Sequence, residues 1–167
     1  MSRKPETAFV ALGSNLQDPA LQIRAGFAAL AKLPSTKLIM QSSLYRSAPA
    51  GYVDQPDFIN AVAMVATTLA PRALLDALLA IEHRRGRERE FLNSPRTLDL
   101  DLLLYGDLRL HEPGLTIPHP RMHERAFVLV PLSEIEPHCV IPGQGAVTEL
   151  LRAIDAGSVT RLVGAAA

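Results

Sequence analysis

Residues 95–105 of this chain read PRTLDLDLLLY, a run in which two aspartates alternate with leucines. Alternation with a period of two predicts a β-strand, because successive side chains of a strand point to opposite faces. Asp99 and Asp101 are therefore predicted to share one face with Leu103 and Tyr105, and to lie roughly 6.5–7 Å apart along the chain. The opposite face is predicted to hold Leu98, Leu100, Leu102 and Leu104.

The segments before this strand predict an α+β fold. Apolar and β-branched runs predict three strands, over residues 7–12, 38–46 and 58–68. Two amphipathic helices are predicted between them, over residues 19–33 and 71–85. Asp18 is expected to cap the first helix, and Pro19 and Pro71 are expected in the first turns. The order β-α-β-β-α-β is that of a ferredoxin-like sandwich, in which helices pack on an antiparallel sheet.

The rest of the chain is predicted to extend this sandwich. We expect a C-terminal hairpin and two further helices, over residues 107–117, 126–135 and 147–154. Since no linker or repeat is visible, we expect a single domain over residues 1–167 with a core at about 7–137. The tail from about residue 157 is expected to be peripheral.

Composition restricts the class of partner. The 167 residues are 48% apolar and 20% charged with zero formal net charge, so no global positive field would attract nucleic acid or a membrane surface. No apolar run approaches the ~20 residues of a membrane-spanning helix. Cys139 is the only cysteine, which excludes an internal disulfide. We expect a cytoplasmic monomer that binds small molecules.

The two aspartates are candidate ligands for magnesium. Mg²⁺ is usually held by one or two carboxylates together with substrate phosphates and water. Two such ions would clamp the attacking and leaving oxygens of a transferred phosphoryl group. A solvated strand face is the alternative reading of an Asp-x-Asp pattern, but the leucines on the opposite face favour a strand that is part of the core.

Arginines are concentrated between the second helix and the acidic strand, at Arg84, Arg85, Arg87, Arg89 and Arg96. Guanidinium groups bind phosphate oxygens through two hydrogen bonds, and a loop rich in them is typical of a lid over polyphosphate. The alternative is a solvated charged surface, because Glu88 and Glu90 allow local ion pairs of little energetic value.

Two further groups of residues favour a nucleotide and a flat heterocycle. Residues 118–125, PHPRMHER, offer His119, Arg121 and Arg125 as cations for a triphosphate. A zinc site at His119 and His123 is disfavoured, since no third ligand is evident. Aromatic residues with an amide would bind a planar base by stacking and hydrogen bonding, although core packing is the commoner role of such aromatics: Tyr52, Phe58, Phe127 and Asn60. No P-loop motif occurs.

Four blocks, together with ALGSNL at 11–16, resemble the 6-hydroxymethyl-7,8-dihydropterin pyrophosphokinase family. They are SSLYR at 42–46, DQPDFINA at 54–61, PRTLDLD at 95–101 and IPHP at 117–120, in the order expected of the family. The resemblance spans residues 11 to about 137. It implies a ferredoxin-like fold, a role in folate biosynthesis, and transfer of the β,γ-pyrophosphoryl group of ATP to the pterin hydroxymethyl oxygen with release of AMP.

The resemblance also implies roles for individual residues. It implies two magnesium ions as cofactors, held by Asp99 and Asp101, with Arg87 and Arg96 as catalytic arginines. ATP, as co-substrate, would be contacted by Glu82, Arg89, Leu102, Thr116, His119 and Arg125. The reduced pterin would be contacted by Ser47, Ala50, Phe58, Asn60 and Phe127.

The chain departs from the family pattern near the nucleotide. Leu92-Asn93-Ser94 stands where some members have a tryptophan, in a loop that is one residue shorter. Leu79 replaces a glutamine, and Pro120 follows His119 where an aromatic residue is sometimes found.

Two rival functions have different sequence requirements. An RNA-recognition domain with the same strand order would need aromatic residues on its central strands and a basic face, whereas only 5% of this chain is aromatic. A metal-dependent nuclease or nucleotidyltransferase would use the same acids but would release pyrophosphate from ATP.

Overall fold

A computed structural model describes residues 4–16, 18–48, 54–86 and 97–162 of the chain. The helices are α1 (Pro19–Ala31), α2 (Pro71–Arg84), α3 (Ala126–Ile135) and α4 (Val147–Arg152), with a 3₁₀ turn at Met122–Glu124. The first five strands are β1 (Glu6–Ser14), β2 (Thr36–Gln41), β3 (Tyr45–Ser47), β4 (Phe58–Thr67) and β5 (Asp99–Tyr105). The others are β6 (Leu110–Glu112), β7 (Leu115–Ile117), β8 (Val140–Ile141), β9 (Gly145–Ala146) and β10 (Thr160–Arg161).

The main sheet confirms the predicted ferredoxin-like α+β fold. Its strands follow the order β10-β3-β4-β1-β5, β2 also pairs with β4, and every pairing is antiparallel. The predicted hairpin over 107–117 is present as β6 and β7. The tail that we expected to be peripheral contributes the edge strand β10, which pairs with β3.

Both faces of the sheet are covered by helices. On one face, alternate residues of β1 and β4 pack against α1 and α2, and this core includes Val10, Ala63, Ile23 and Leu78. On the other face, a second core forms against α3, whose Leu129 and Leu132 are fully buried there. The two central strands, β1 and β4, are therefore apolar on both faces, as strands that lie between two layers of helices must be. Within the described residues, no helix has the length and apolar character needed to cross a membrane.

The predicted strand over 38–46 is divided into β2 and β3 at Ser42. The Ser42 backbone N–H donates to the carbonyl of Val62 at 2.9 Å, while the Val62 N–H donates to the Ser42 hydroxyl at 2.9 Å. A side-chain oxygen thus takes the place of a backbone carbonyl in the ladder. Ser and Thr hydroxyls compete with regular secondary structure in this way, which explains why the strand is interrupted.

The predicted faces of the acidic strand are correct up to Leu103 and wrong for Leu104 and Tyr105. Val10 pairs with Leu102 and Phe9 with Leu104, so Leu103 is the extra residue of a β-bulge. The bulge shifts the alternation by one residue. Leu104 consequently packs on the α3 side and Tyr105 on the α1–α2 side, the reverse of the prediction.

The start of α1 also differs from its prediction. Pro19 opens the helix as predicted, but Asp18 has φ 60° and its side chain makes no capping hydrogen bond. An N-cap residue normally has extended backbone geometry, which directs its side chain toward the first helical N–H groups. The left-handed backbone of Asp18 removes that geometry, although its carbonyl still accepts the first helical bond, from Gln22 at 3.1 Å.

A pair of neighbouring leucines in α2 provides a test of this packing. Leu78 is fully buried beneath the sheet, whereas Leu79 is 44% exposed. We expect Leu78→Ala to lower the free energy of unfolding by about 2–5 kcal/mol because it opens a cavity. Leu79→Ala, the control, is expected to change it by less than about 1 kcal/mol. Urea denaturation followed by circular dichroism measures both, and equal losses would contradict this arrangement of α2.

Candidate active site

Asp99 and Asp101 lie on the α3-side face of β5, before the bulge. They pair with Gly13 and Ala11 of β1, two of the smallest residues in that strand. Both aspartates are half-buried. Small neighbours leave open space beside the carboxylates, and the two side chains line two different cavities.

The first cavity has a volume of about 120 Å³ and lies between the sheet and α3. It brings together Phe58 and Asn60 of β4 with Phe127 of α3 and Ser47 of β3. These are four of the five residues predicted to bind the pterin. The fifth, Ala50, lies outside the described residues, as does Tyr52.

The amide of Asn60 is held in one orientation. Asn60 and Ser47 are both buried, and the Ser47 hydroxyl donates a hydrogen bond to Asn60 Oδ1. A fixed amide at the end of a cavity with aromatic walls suits a planar ring with hydrogen-bonding edges.

Gly13 is a lining residue to which sequence reasoning gave no role. A Cβ atom there would lie 3.3 Å from Asn60 Nδ2 and 3.8 Å from Phe58 Cδ1. Any larger side chain would therefore reduce the cavity beside the amide. The sequence feature that could have indicated this role is a pair of small residues, Ala11 and Gly13, at alternate positions of an otherwise apolar strand.

The second cavity is an open groove of about 580 Å³ on the other side of the aspartates. Four residues that were predicted to contact ATP line it: Glu82, Leu102, Thr116 and His119. Glu82 is buried, and its Oε2 accepts a hydrogen bond from the Leu100 N–H at 2.6 Å, which fixes α2 against β5. Leu79, which stands in place of the family glutamine, also lines the groove.

The arginines predicted to supply positive charge at the site are not found together in the groove. Arg125 lines the first cavity rather than the groove, and its Cζ lies 5.6 Å from the centre of the Phe127 ring, within cation–π range. Arg87, Arg89 and Arg96 lie outside the described residues. The roles proposed for these four arginines stay predictions.

The surroundings of His119 disfavour the positive charge expected of its imidazole, while its contact with ATP stays a prediction. Burial lowers its pKa, the nearby charges of Arg125 and Arg121 lower it further, and Asp99 opposes them; the resulting pKa is about 4. A neutral imidazole still offers one N–H donor. Its Nδ1 accepts a hydrogen bond from the Arg121 backbone N–H at 3.2 Å, which places the N–H on Nε2.

The donor set at the aspartates suits a magnesium ion better than a metal that the protein encloses completely. Two carboxylates border both cavities, and no group of three or more His, Cys, Asp or Glu side chains able to hold a metal occurs among the described residues. Mg²⁺ is typically bound by one or two carboxylates that share it with substrate phosphates. Zinc would require a fuller set of protein ligands.

These features define the class of site. An aromatic-walled cavity with a fixed amide and an open polar groove meet at a pair of carboxylates. Such an arrangement suits a transferase in which two substrates react across the carboxylate pair.

Comparison with known proteins gives the family. The family model for 7,8-dihydro-6-hydroxymethylpterin-pyrophosphokinase (HPPK) matches residues 9–137. Two bacterial proteins named 2-amino-4-hydroxy-6-hydroxymethyldihydropteridine pyrophosphokinase are similar over most of their length. The one from Pseudomonas aeruginosa is 48% identical over 96% of this chain and 99% of its own, and the one from Haemophilus influenzae is 49% identical over 87% and 91%.

The fold is shared with a more distant structure. The crystal structure of wild-type Plasmodium falciparum HPPK-DHPS with pteroate has a TM-score of 0.71 to this chain at 15% identity. The match covers 92% of this chain and 45% of the Plasmodium chain. At this identity the likeness supports the fold alone.

The chain therefore belongs to the 7,8-dihydro-6-hydroxymethylpterin-pyrophosphokinase family. Membership confirms the resemblance found in the sequence. It also confirms the predicted pyrophosphokinase function on hydroxymethyldihydropterin in folate biosynthesis.

The protonation of His119 can be checked directly. In protein without nucleotide we expect its imidazole to titrate near pH 4 rather than near the ordinary 6.5. Because the unfolded chain takes up this proton near 6.5 and the folded chain does not until about 4, the folded state loses stability as the pH falls through that window. Two-dimensional NMR of the imidazole nitrogens measures the titration, and His119→Asn assigns the signal. A midpoint near 6.5 would contradict the buried environment of the ring.

Proposed function

We propose that this chain transfers pyrophosphate from ATP to 6-hydroxymethyl-7,8-dihydropterin, and that the Asp99–Asp101 pair is the point at which the two substrates meet. The observation that carries this proposal is that both aspartates line the aromatic-walled cavity and the groove together. A pterin in the first and a triphosphate in the second would place the reacting atoms beside the same two carboxylates.

The pterin is proposed to occupy the cavity that contains Phe58, Asn60 and Phe127. Its flat ring would stack against the aromatic side chains, and its hydrogen-bonding edge would meet the Asn60 amide. The Ser47 hydroxyl, which bonds to Asn60 Oδ1, would keep that amide in its binding orientation. Binding in a fixed pose converts a bimolecular encounter into a positioned reaction.

ATP is proposed to occupy the groove, with its phosphates directed toward the aspartates. Thr116 and His119 line the groove on the side of β7 and the segment that follows it. A neutral His119 would donate one hydrogen bond to a phosphate oxygen without adding a full charge. Most of the positive charge would then come from Arg87, Arg89 and Arg96, and from Arg125 at the border of the pterin cavity.

Transfer would proceed in one displacement. The hydroxymethyl oxygen attacks the β-phosphorus, and the bond between that phosphorus and the oxygen shared with the α-phosphoryl group breaks. AMP departs with that oxygen, and the hydroxyl proton is released. Asp99 and Asp101 would hold two Mg²⁺ ions, which would supply positive charge to the triphosphate and the attacking oxygen. The arginines would stabilise the charge that develops on the transferred group.

We further propose that the enzyme acts as a monomer in the cytoplasm.

The product of ATP is the most direct test. We expect AMP to form only when protein, ATP, Mg²⁺ and the reduced hydroxymethylpterin are all present, because the pterin is the acceptor. Ion-exchange chromatography separates AMP, ADP and pyrophosphate, and omission of each component in turn provides the control. Release of pyrophosphate without pterin would support the nucleotidyltransferase alternative and overturn the proposal.

The aspartate pair makes a second prediction. Asp99→Ala and Asp101→Ala should each lower kcat by roughly 10²–10³-fold, since loss of a metal ligand removes several kcal/mol of transition-state stabilisation. The pterin cavity keeps its other walls, so pterin binding, measured by calorimetry, should persist. Asp107→Ala is the control because Asp107 lies in the exposed turn after β5. Near-normal turnover of either site variant would contradict the assignment.

A further inference from the structure

One acidic side chain outside the substrate cavities joins two of the elements that build the pterin site. Glu134, in the last turn of α3, accepts hydrogen bonds from the Ser43 N–H at 3.0 Å and from the Tyr45 hydroxyl at 2.6 Å through Oε1. Its Oε2 accepts from the Ser43 hydroxyl at 2.9 Å. We call Glu134, Ser43 and Tyr45 the Glu134 cluster. It connects α3 to the start of β3, residues that lie about 90 positions apart in the chain.

Both elements extend from the Glu134 cluster to the pterin cavity. Phe127 precedes Glu134 by seven residues, which is two turns of helix, so the two side chains lie on the same side of α3 about 10 Å apart along its axis. Ser47 follows Tyr45 by two residues and is on the same face of β3, where both are buried. The cluster therefore fixes α3 and β3 one to two helical turns from the place where they face each other across the cavity.

The charges at the cluster favour a strong connection. Burial raises the pKa of Glu134, but the hydrogen bonds from Tyr45 and Ser43 and the charge of Arg161 outweigh it and leave the pKa below its ordinary value. Burial and the same carboxylate raise the pKa of Tyr45 to about 12. At neutral pH the hydroxyl therefore donates and the carboxylate accepts, and charge-assisted bonds of this kind are stronger than neutral ones.

The C-terminal strand β10 contacts β3 beside the Glu134 cluster. Arg161 of β10 pairs in register with Tyr45, and the Leu162 N–H donates to the Leu44 carbonyl at 2.9 Å. The tail thus brings a positive charge toward Glu134 and closes the edge of β3. This gives the SSLYR block at 42–46 a function other than contact with substrate, since its second and fourth residues, Ser43 and Tyr45, bind Glu134.

We propose that Glu134 is a positioning residue for pterin binding: by fixing α3 to β3 it sets the separation between Phe127 and the Ser47–Asn60 pair. The inference rests on the proposed pterin site. The cavity is walled by Phe127 of α3 on one side and by Ser47 and Asn60 of the sheet on the other, so a movement of α3 changes how closely a flat ring is held. Small displacements that originate far from the reacting atoms can reduce activity considerably.

Glu134→Gln is the principal test because it keeps the size of the side chain. Its amide NH₂ group cannot accept the bonds that Oε2 accepts from Ser43, so the cluster is weakened. We expect the pterin KM, measured at saturating ATP, to rise about five- to twentyfold, as the loss of charge-assisted hydrogen bonds would permit. The KM for ATP and kcat at saturation should stay within about twofold.

Tyr45→Phe provides a second and milder variant. It removes only the hydroxyl that donates to Oε1, so a smaller increase in pterin KM is expected. In the Glu134→Gln background its effect should be smaller than in the wild type, because both changes weaken the same cluster. Two controls make the same chemical changes elsewhere. Glu136→Gln alters the residue after α3, and Tyr105→Phe alters a tyrosine that bonds to the Leu69 carbonyl on the opposite side of the sheet.

The outcomes separate positioning from general stability. A selective rise in pterin KM for Glu134→Gln and Tyr45→Phe, absent in both controls, supports the inference. An unchanged pterin KM overturns it. It is also overturned if kcat and the affinities for pterin and ATP all fall together, in proportion to the fraction of folded protein. If Glu134→Gln does not fold, Tyr45→Phe decides alone. Failure of the wild-type protein to form AMP would instead contradict the proposed function.

Discussion

The antiparallel pairing of β1 with β5 determines whether this protein has an active site. The pairing places Asp99 opposite Gly13 and Asp101 opposite Ala11. A slip of one residue would turn both carboxylates into the apolar core under α1 and α2, because side chains alternate between the faces of a strand. The register of one strand pair thus sets the position of the acids and the space around them at once.

The bulge at Leu103 allows one strand to meet two different requirements. Before it, β5 needs the alternation that directs Asp99 and Asp101 toward the cavities. After it, Leu104 packs beneath α3, and Tyr105 bonds to the Leu69 carbonyl on the other face. Without the bulge, β5 could direct the aspartates toward the cavities or place Leu104 and Tyr105 on their present faces, but not both. β-Bulges are frequently found next to active sites for this reason.

The order of elements was predictable because local signals specify it. Periods of two and of about 3.6 residues separate strands from helices, and prolines at 19 and 71 mark the helix starts. The bulge was not predictable, because Leu103 belongs to a run of three leucines and the run itself does not show which residue is extra. The interruption at Ser42 depends on Val62, a partner in another strand. Local pattern does not contain such contacts.

Four acidic residues around the site show why sequence identifies candidates more readily than roles. Glu82 and Glu134 accept hydrogen bonds from backbone N–H groups of distant segments, so each fixes a helix to the sheet, at Leu100 and at Ser43. Asp99 and Asp101 instead border two cavities. All four are carboxylates, and only their surroundings distinguish them. A carboxylate held by backbone donors contributes rigidity, whereas one at a cavity wall can also attract a cation. The pterin site needs both kinds, because charge at the reacting atoms is useful only when the walls that hold the substrate keep their separation.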